Sequence, residues 1–338
     1  HARMGVLHRR CTERGAENDL TAVASCDALI EIWRANFVEA ARLADEAMER
    51  AEQGSGSLAI ALSMRAMVAA YVGREHDSRA DAQTALGIAS RTRSPRLAEW
   101  PAMTMGFLEV SVGKYAAALA AMQPMRRTFE AIPGTEIMTA SFIPDTVEAM
   151  VSLGRSGEAE PLIEALERNG RRLDRPWMLA IGARCRSMWL AAQGDIEAAA
   201  DKAHEAMTEH DRLPMPFERV RTQLLLGQLQ RRQRQKERSR ATLREALLAF
   251  QALGTPLWAN RVRAELDRAE AVPAHDRTLT ASERRVAELA ASGMTNKDVA
   301  NALFISPKTV EANLARVYRK LGIKNRAELG RAIGDLKD

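Results

Sequence analysis

The sequence predicts an all-α chain: a helical-hairpin solenoid over residues 1–270, a linker over 271–278 and a small helical bundle over 279–338. Three observations predict it. Ala, Leu, Glu and Arg dominate while aromatics are only 4%. Ala and straight-chain residues lose little entropy in helices, whereas β-branched and aromatic residues fill strands. A phrase of helix, short turn and Ala-rich helix recurs at roughly 40 residues. The segment Ala271 to Thr278 (AVPAHDRT) breaks the helical period at Pro273, and a capped helix start follows it directly. With 338 residues, a prior of about 100 to 200 residues per domain also asks for more than one core.

Each half supports its own assignment. In the first, the phrases starting at Asn36, Gly113, Gly157 and Gly194 read NFVEAA, GKYAAA, GEAEPL and GDIEAA, with weaker copies from Gly73 to Ala80 and Gln235 to Ala241. Small residues after each turn let paired helices approach closely, and Leu or Met on the other flank packs on the next pair. This region resembles the tetratricopeptide-like repeats of bacterial regulators, with Leu243 to Leu266 as its closing phrase.

In the second half, Thr280 and Glu283 have the spacing of a capping box. The helix they start buries Val286, Leu289 and Ala290, and Gly293 ends it in a left-handed turn. Thr295 caps a short second helix carrying Val299, Ala300 and Leu303 on one face. Ser306 and Pro307 start a third, running to Leu321 with Gly322 as its stop. Along it Val310, Leu314, Val317 and Leu321 form one inward stripe. Lys308, Ala312, Ala315 and Arg319 lie about 160° away, facing out, with Glu311 and Arg316 at the edges. Small residues at the middle and basic ones at the ends suit a helix lying in a major groove. Ala312 and Ala315 can touch a thymine methyl, Glu311 can accept from cytosine, and Lys308, Arg316 and Arg319 can reach guanine or phosphate. From Thr278 to Asp338 there are eleven Lys and Arg against seven Asp and Glu, the sign that phosphate binding wants.

Residues Leu279, Thr280, Glu283, Val286, Gly293, Asn296, Val299, Ala300, Leu303, Ile305, Ser306, Thr309, Val310, Val317, Tyr318, Lys320 and Leu321 together resemble the helix-turn-helix of the LuxR family. The resemblance implies a sequence-specific DNA-binding transcriptional regulator with its recognition helix over Pro307 to Leu321. The DNA-binding residues expected on it are Lys308, Thr309, Glu311, Ala312, Asn313, Ala315, Arg316, Arg319 and Lys320, joined by Asn296 and Lys297. Asn313 departs from the family, which often has His there. Asn325 to Glu328 is read as a further capping box, opening a last helix through Leu336 that the family uses to dimerise on DNA. Large members carry a nucleotide-binding ATPase domain ahead of such repeats. The chain begins at His1 rather than Met, which reads as a fragment of something longer; ATP control then lies upstream, and no cofactor is expected within this chain.

Other classes fit less well. The net charge of +5 is a mild excess over this length and speaks to solubility more than fold. Cys11, Cys26 and Cys185 are too few and scattered for a disulfide framework or a zinc cluster, and six histidines show no ligand spacing. No phosphate-binding loop, nucleophile elbow or paired-His metalloprotease motif occurs, so the chain reads as a non-enzyme. A cytoplasmic protein is expected, on the nucleoid when bound to promoter DNA, with no membrane segment, a homodimer on DNA and a small-molecule or protein effector at the repeats. The basic run Arg231 to Arg240 reads as a solvated face at a repeat turn rather than a second nucleic-acid patch. Trp33, Trp100, Trp177, Trp189 and Trp258 read as core packing rather than a ligand groove. The competing class is a repeat scaffold whose terminal bundle docks on protein.

Overall fold

The computed structural model describes residues 6, 10–14, 17–54, 57–270 and 279–334, and among these there are helices and turns but no strand. The expected linker at 271–278 and the last residues of the expected final helix lie outside the described residues. The chain divides into two compact units, His1–Ala269 and Glu270–Asp338.

Among the described residues of the first unit, six helical hairpins follow one another. They are α1 (Glu17–Trp33) with α2 (Phe37–Glu52), α3 (Leu58–Tyr71) with α4 (Glu75–Arg91), and α5 (Pro95–Ser111) with α6 (Tyr115–Ala131). After the single turn α7 (Ile137–Ala140) come α8 (Ile143–Ser152) with α9 (Glu160–Leu173), α10 (Pro176–Gln193) with α11 (Ile196–His210), and α12 (Pro216–Arg232) with α13 (Lys236–Ala252). A lone helix, α14 (Pro256–Glu270), closes the unit.

One turn device makes most of the reversals. The residues in left-handed conformation within hairpins are Ala35, Gly73, Gly113, Gly154, Gly194 and Arg234, each about one repeat length from the next. The amide that follows reaches back five residues to a helix carbonyl: Asn36 to Glu31 at 2.9 Å, Arg74 to Ala69 at 2.8 Å, Lys114 to Glu109 at 2.7 Å, Arg155 to Met150 at 2.8 Å. That bond satisfies a carbonyl the helix end leaves open. The fourth turn corrects the sequence reading. It is made by Gly154, and Gly157 lies inside a 3₁₀ turn (Ser156–Glu158) leading into α9. Leu153-Gly154-Arg155 repeats the pattern of Val112-Gly113-Lys114, and only the earlier glycine is in phase with the other turns.

Alanine sets the spacing within hairpins, and aromatics tie distant hairpins together. Ala40, Ala44 and Ala47 of α2 are fully buried. Tyr71, Phe107, Phe217, Phe250 and Trp258, from α3, α5, α12, α13 and α14, form one continuous cluster with ring centroids 4.3 to 6.3 Å apart. The Trp258 indole N–H donates to Ser111 Oγ at 2.9 Å. Pro256 approaches Gly73 so closely that a β-carbon there would lie 2.7 Å from its ring. The last helix of the unit is therefore packed against its second and third hairpins. All five tryptophans belong to this core or pack on it, as expected.

Beside the aromatic cluster runs a buried ionic one. Arg221 donates to Asp145 at 2.7 Å and to Glu148 at 2.8 Å, Arg184 pairs with Glu218 at 2.6 Å, and Arg261 pairs with Glu148. The guanidiniums of Arg221 and Arg261 stand 4.4 and 4.1 Å from the Trp258 ring centre. Burial raises the Glu148 carboxyl, but Arg261 and Arg221 outweigh it and hold the group down at about 2. Asp145 responds the other way: burial exceeds the attraction of Arg221, and its carboxyl is pushed up to about 6. The basic run at Arg231 to Arg240 spans the α12–α13 turn, with Arg231 paired to Glu265 at 3.6 Å and Arg240 to Glu237 at 2.8 Å.

Close packing makes a first prediction. A β-carbon at Gly227 of α12 would lie 2.7 Å from both Cγ and Cδ2 of Leu243 on the facing helix. Gly227→Ala is expected to destabilise the first unit by about 1–3 kcal/mol through overpacking. A urea titration followed by tryptophan fluorescence reads this directly, since every tryptophan lies in this unit. An unchanged midpoint would show that Leu243 moves aside at no cost.

Candidate nucleic-acid interface

The second unit consists of α15 (Ala281–Ala291), α16 (Asn296–Leu303), α17 (Pro307–Leu321), a 3₁₀ turn (Arg326–Glu328) and α18 (Leu329–Gly334). Side-chain caps set its helix starts. Thr280 Oγ1 accepts from the Glu283 amide at 3.2 Å, while Glu283 Oε2 accepts from the Thr280 amide at 2.8 Å. Thr295 and Asp298 form a second such box, whose acidic half the sequence reading did not name. Ser306 Oγ accepts from the Thr309 amide at 3.1 Å, with Pro307 in the first turn. Gly293 and Gly322 end α15 and α17 in left-handed conformation, as their positions predict. The fourth start differs from expectation: Asn325 Oδ1 accepts from the Glu328 amide, but Glu328 returns its bond to the Lys324 amide, so the box opens a 3₁₀ turn.

Val286, Ala290, Val299, Val310, Leu314 and Val317 make the core of this unit, with Leu289, Leu303 and Leu321 packed around it. The inward stripe of α17 is thus the one predicted. Two polar contacts lock the three helices further. Lys320 Nζ lies 2.6 Å from Glu283 Oε2, both side chains under a tenth exposed. Arg326 donates to Asn296 Oδ1 at 2.9 Å, to the Ala290 carbonyl at 3.1 Å and to the Met294 carbonyl. It thereby ties the end of α15, the turn after it and the start of α16 to the last 3₁₀ turn. No local pattern marks Arg326 for that task, because its acceptors lie more than thirty residues upstream.

The structure divides the expected contact residues. Lys308, Thr309, Glu311, Ala312, Ala315, Arg316 and Arg319 are all exposed on α17, and Lys297 is exposed on α16. Among the described residues Lys308, Arg316 and Arg319 have no carboxylate partner, whereas Lys297 stands beside Asp298 and helps hold its carboxyl below the ordinary value. Asn296 is half-buried and engaged by Arg326. Two residues are placed otherwise than expected. Asn313 is 9% exposed and turns back along its own helix, its Nδ2 donating to the Thr309 carbonyl at 2.9 Å. Lys320 is spent on Glu283 inside the unit. Both lie on the border between the two stripes, where neighbouring groups and not angle decide which way a side chain goes. Phe304, at the turn before α17, is 96% exposed in left-handed conformation, and the sequence reading did not single it out.

The Glu283 pair carries a testable consequence. Burial acts to raise the Glu283 carboxyl, and hydrogen bonds from Lys320 and Thr280 overcome it, leaving the group below its ordinary value. A depressed carboxylate adds stability above its unfolded value, near 4.3, and loses it as pH falls through the folded one. Glu283→Gln is expected to cost the unit about 1.5–3 kcal/mol at neutral pH and to flatten its acid sensitivity. Hydrogen exchange of amides in residues 279–334 measures both; unchanged protection would mean the pair holds nothing.

A capped three-helix core presenting an exposed, cation-bearing third helix defines a helix-turn-helix module. Residues 277–332 match the family described as bacterial regulatory proteins, luxR family. The chain is 44% identical over 50 residues to the spore germination protein GerE of Bacillus subtilis, which covers 15% of this chain and 68% of that protein. It is 47% identical over 57 residues to the transcriptional regulatory protein UhpA of Escherichia coli, covering 17% of this chain and 29% of that one. A protein of Mycobacterium tuberculosis named as an HTH-type transcriptional regulator is 27% identical over 349 residues, which cover 89% of this chain and 38% of the relative. A solved signal transduction ATPase with a tetratricopeptide repeat sensor, from Pyrococcus horikoshii, aligns with TM-score 0.47 and 14% identity over 93% of this chain and 42% of that one. The chain belongs to the LuxR family of bacterial regulatory proteins, and it spans about two fifths of the length of the mycobacterial relatives it matches.

Proposed function

We propose that this chain is a transcriptional regulator that reads promoter DNA by laying α17 in the major groove, with the helical repeats as its sensor. One observation carries the reading. α17 buries one face in its own core and leaves Lys308, Ala312, Ala315, Arg316 and Arg319 exposed on the other, the cations unpaired. The groove is about 12 Å wide and admits an α-helix, and unpaired guanidinium and ammonium groups are what phosphate oxygens and guanine edges accept from. Ala312 and Ala315 allow close approach at the helix middle. Glu311 is the group that accepts from cytosine N4. Lys308, Thr309 and Arg316 reach the backbone, with Lys297 as a further cation on the helix before. The module acts as a homodimer on two half-sites about 10 base pairs apart, with α18 supplying the contact between copies, in the cytoplasm. Among the described residues no helix is long and apolar enough to cross a membrane. No catalytic role is assigned to the chain.

Selection from random duplex DNA tests the reading, run alongside a Glu311→Lys, Arg316→Ala variant. An enriched, roughly palindromic site that is lost or altered in the variant is the expected result. Equal recovery of all sequences by both proteins, with little response to salt, would turn the assignment toward a protein-docking bundle.

A further inference from the structure

We propose that the repeat unit binds a small organic anion, a carboxylate or phosphate ester with an apolar body, in a cavity bounded by α8, α10, α12 and α14. The cavity holds about 380 Å³, within the range of small-molecule sites. Its charge is lopsided. Arg184, Arg221, Arg232 and Arg261 line it against a single carboxylate, Glu148. Asp145 and Glu218, which complete the neutralisation of the buried arginines, are not part of its wall.

The wall is built in advance of any ligand. Arg184 and Arg221 are 2% and 4% exposed. The first donates to the Glu218 carbonyl at 3.0 Å, the second is gripped by Asp145 and Glu148, and Arg261 is held between Glu148 and the Trp258 face. Guanidiniums fixed this way need little further ordering when they meet an anion, so less of the interaction is lost to entropy. At the mouth the situation reverses: Arg232 is exposed, and neither it nor the half-buried Gln228 has a side-chain partner among the described residues. Arg232 and Gln228 therefore offer open donors, and a planar carboxylate or a phosphate matches the guanidinium fork of Arg232. Among these polar groups the lining also carries apolar side chains, Val151, Met188 and Leu224, which suit the apolar body of the ligand. A polyol would leave the apolar side chains unused, and a cation would be repelled by the arginines.

The site deepens the sensor reading and rests on it, since it gives the repeats something to sense. Trp258 and Arg261 stand on α14, the last helix of the unit in sequence before the segment leading to the DNA-binding module. A ligand there bears on that helix directly.

Calorimetric titration of the full chain with phenyl phosphate and with benzoate, against neutral benzyl alcohol, tests the proposal. Arg232→Glu inverts the charge at the mouth, and Ala192→Trp fills it; both positions are exposed, so the fold is kept. The expected result is saturable one-to-one binding of the anions alone, weakened at least about tenfold by Arg232→Glu and abolished by Ala192→Trp. Absence of anion binding at millimolar concentration, equal binding of the alcohol, or affinity unchanged in both variants overturns it. DNA binding by the same variants without ligand is read in parallel. Loss of the anion with DNA binding intact belongs to the cavity, whereas a chain that takes the anion but ignores DNA overturns only the promoter reading.

Discussion

Arg221→Met is expected to lower the unfolding free energy of the repeat unit by about 3–5 kcal/mol, because it removes one partner from a buried ionic cluster and leaves the others. Arg221 is 4% exposed and holds Asp145 at 2.7 Å, Glu148 at 2.8 Å and, more loosely, Glu218 at 3.5 Å. Glu148 retains Arg261 and Glu218 retains Arg184, so the group left alone is Asp145. Its carboxyl already stands at about 6 through burial, despite the attraction of Arg221. Without that attraction it rises further. A carboxyl raised above its unfolded value, near 3.9, costs stability at every pH above that value and ceases to cost as the solution approaches it. The deficit of the variant is therefore largest at neutral pH and shrinks toward pH 5 as Asp145 takes up a proton. Adding Asp145→Asn is expected to recover part of the loss, since the unpaired charge is then gone. Urea unfolding read by tryptophan fluorescence at pH 7 and pH 5 decides it. A loss below about 1 kcal/mol, equal at both pH values, would mean that water reaches the cluster and the burial argument fails.

Which features were legible in the sequence follows from how far apart the interacting residues lie. Thr280, Thr295, Ser306, Pro307, Gly293 and Gly322 act within three or four residues of themselves, and each stands where the local pattern places it. The stripe Val310, Leu314, Val317 was equally readable, because 3.6-residue geometry alone assigns it. Repeat turns are legible by phase: Gly154, and not Gly157, stands about 40 residues from Gly113 and Gly194. What could not be read is pairing over distance. Trp258 meets Ser111 across 147 residues and Arg221 meets Asp145 across 76, and no local pattern encodes either. Lys320 shows the same limit within the module. Its place on the helix leaves both directions open, and Glu283, 37 residues upstream, takes it inward. Asn313, expected at the DNA, turns inward for a local reason: its short amide reaches back to the Thr309 carbonyl, which competes with outward display.

Ala315→Glu is expected to weaken specific DNA binding at least about 100-fold, about 2.7 kcal/mol, while leaving the module folded. Ala315 is exposed near the middle of the outward face, and Glu is nearly as good a helix former as Ala, so no structural cost arises on the protein side. In the groove the new carboxylate would be pressed against base edges rich in acceptors and between two rows of phosphates, with no donor to meet it. Arg316→Ala should act differently: with the proposed phosphate contact removed, binding falls similarly on all sequences and the salt slope drops by about one. Lys320→Met separates the structure from the sequence reading. If Lys320 touched DNA, this substitution would reduce the salt slope as Arg316→Ala does; held on Glu283, it should instead reduce amide protection in the module and leave the slope of the folded fraction intact. Measuring the three variants on one selected duplex across a salt series therefore tests the outward face and its boundary together. A loss of slope in Lys320→Met with protection preserved would move that boundary and return Lys320 to the DNA.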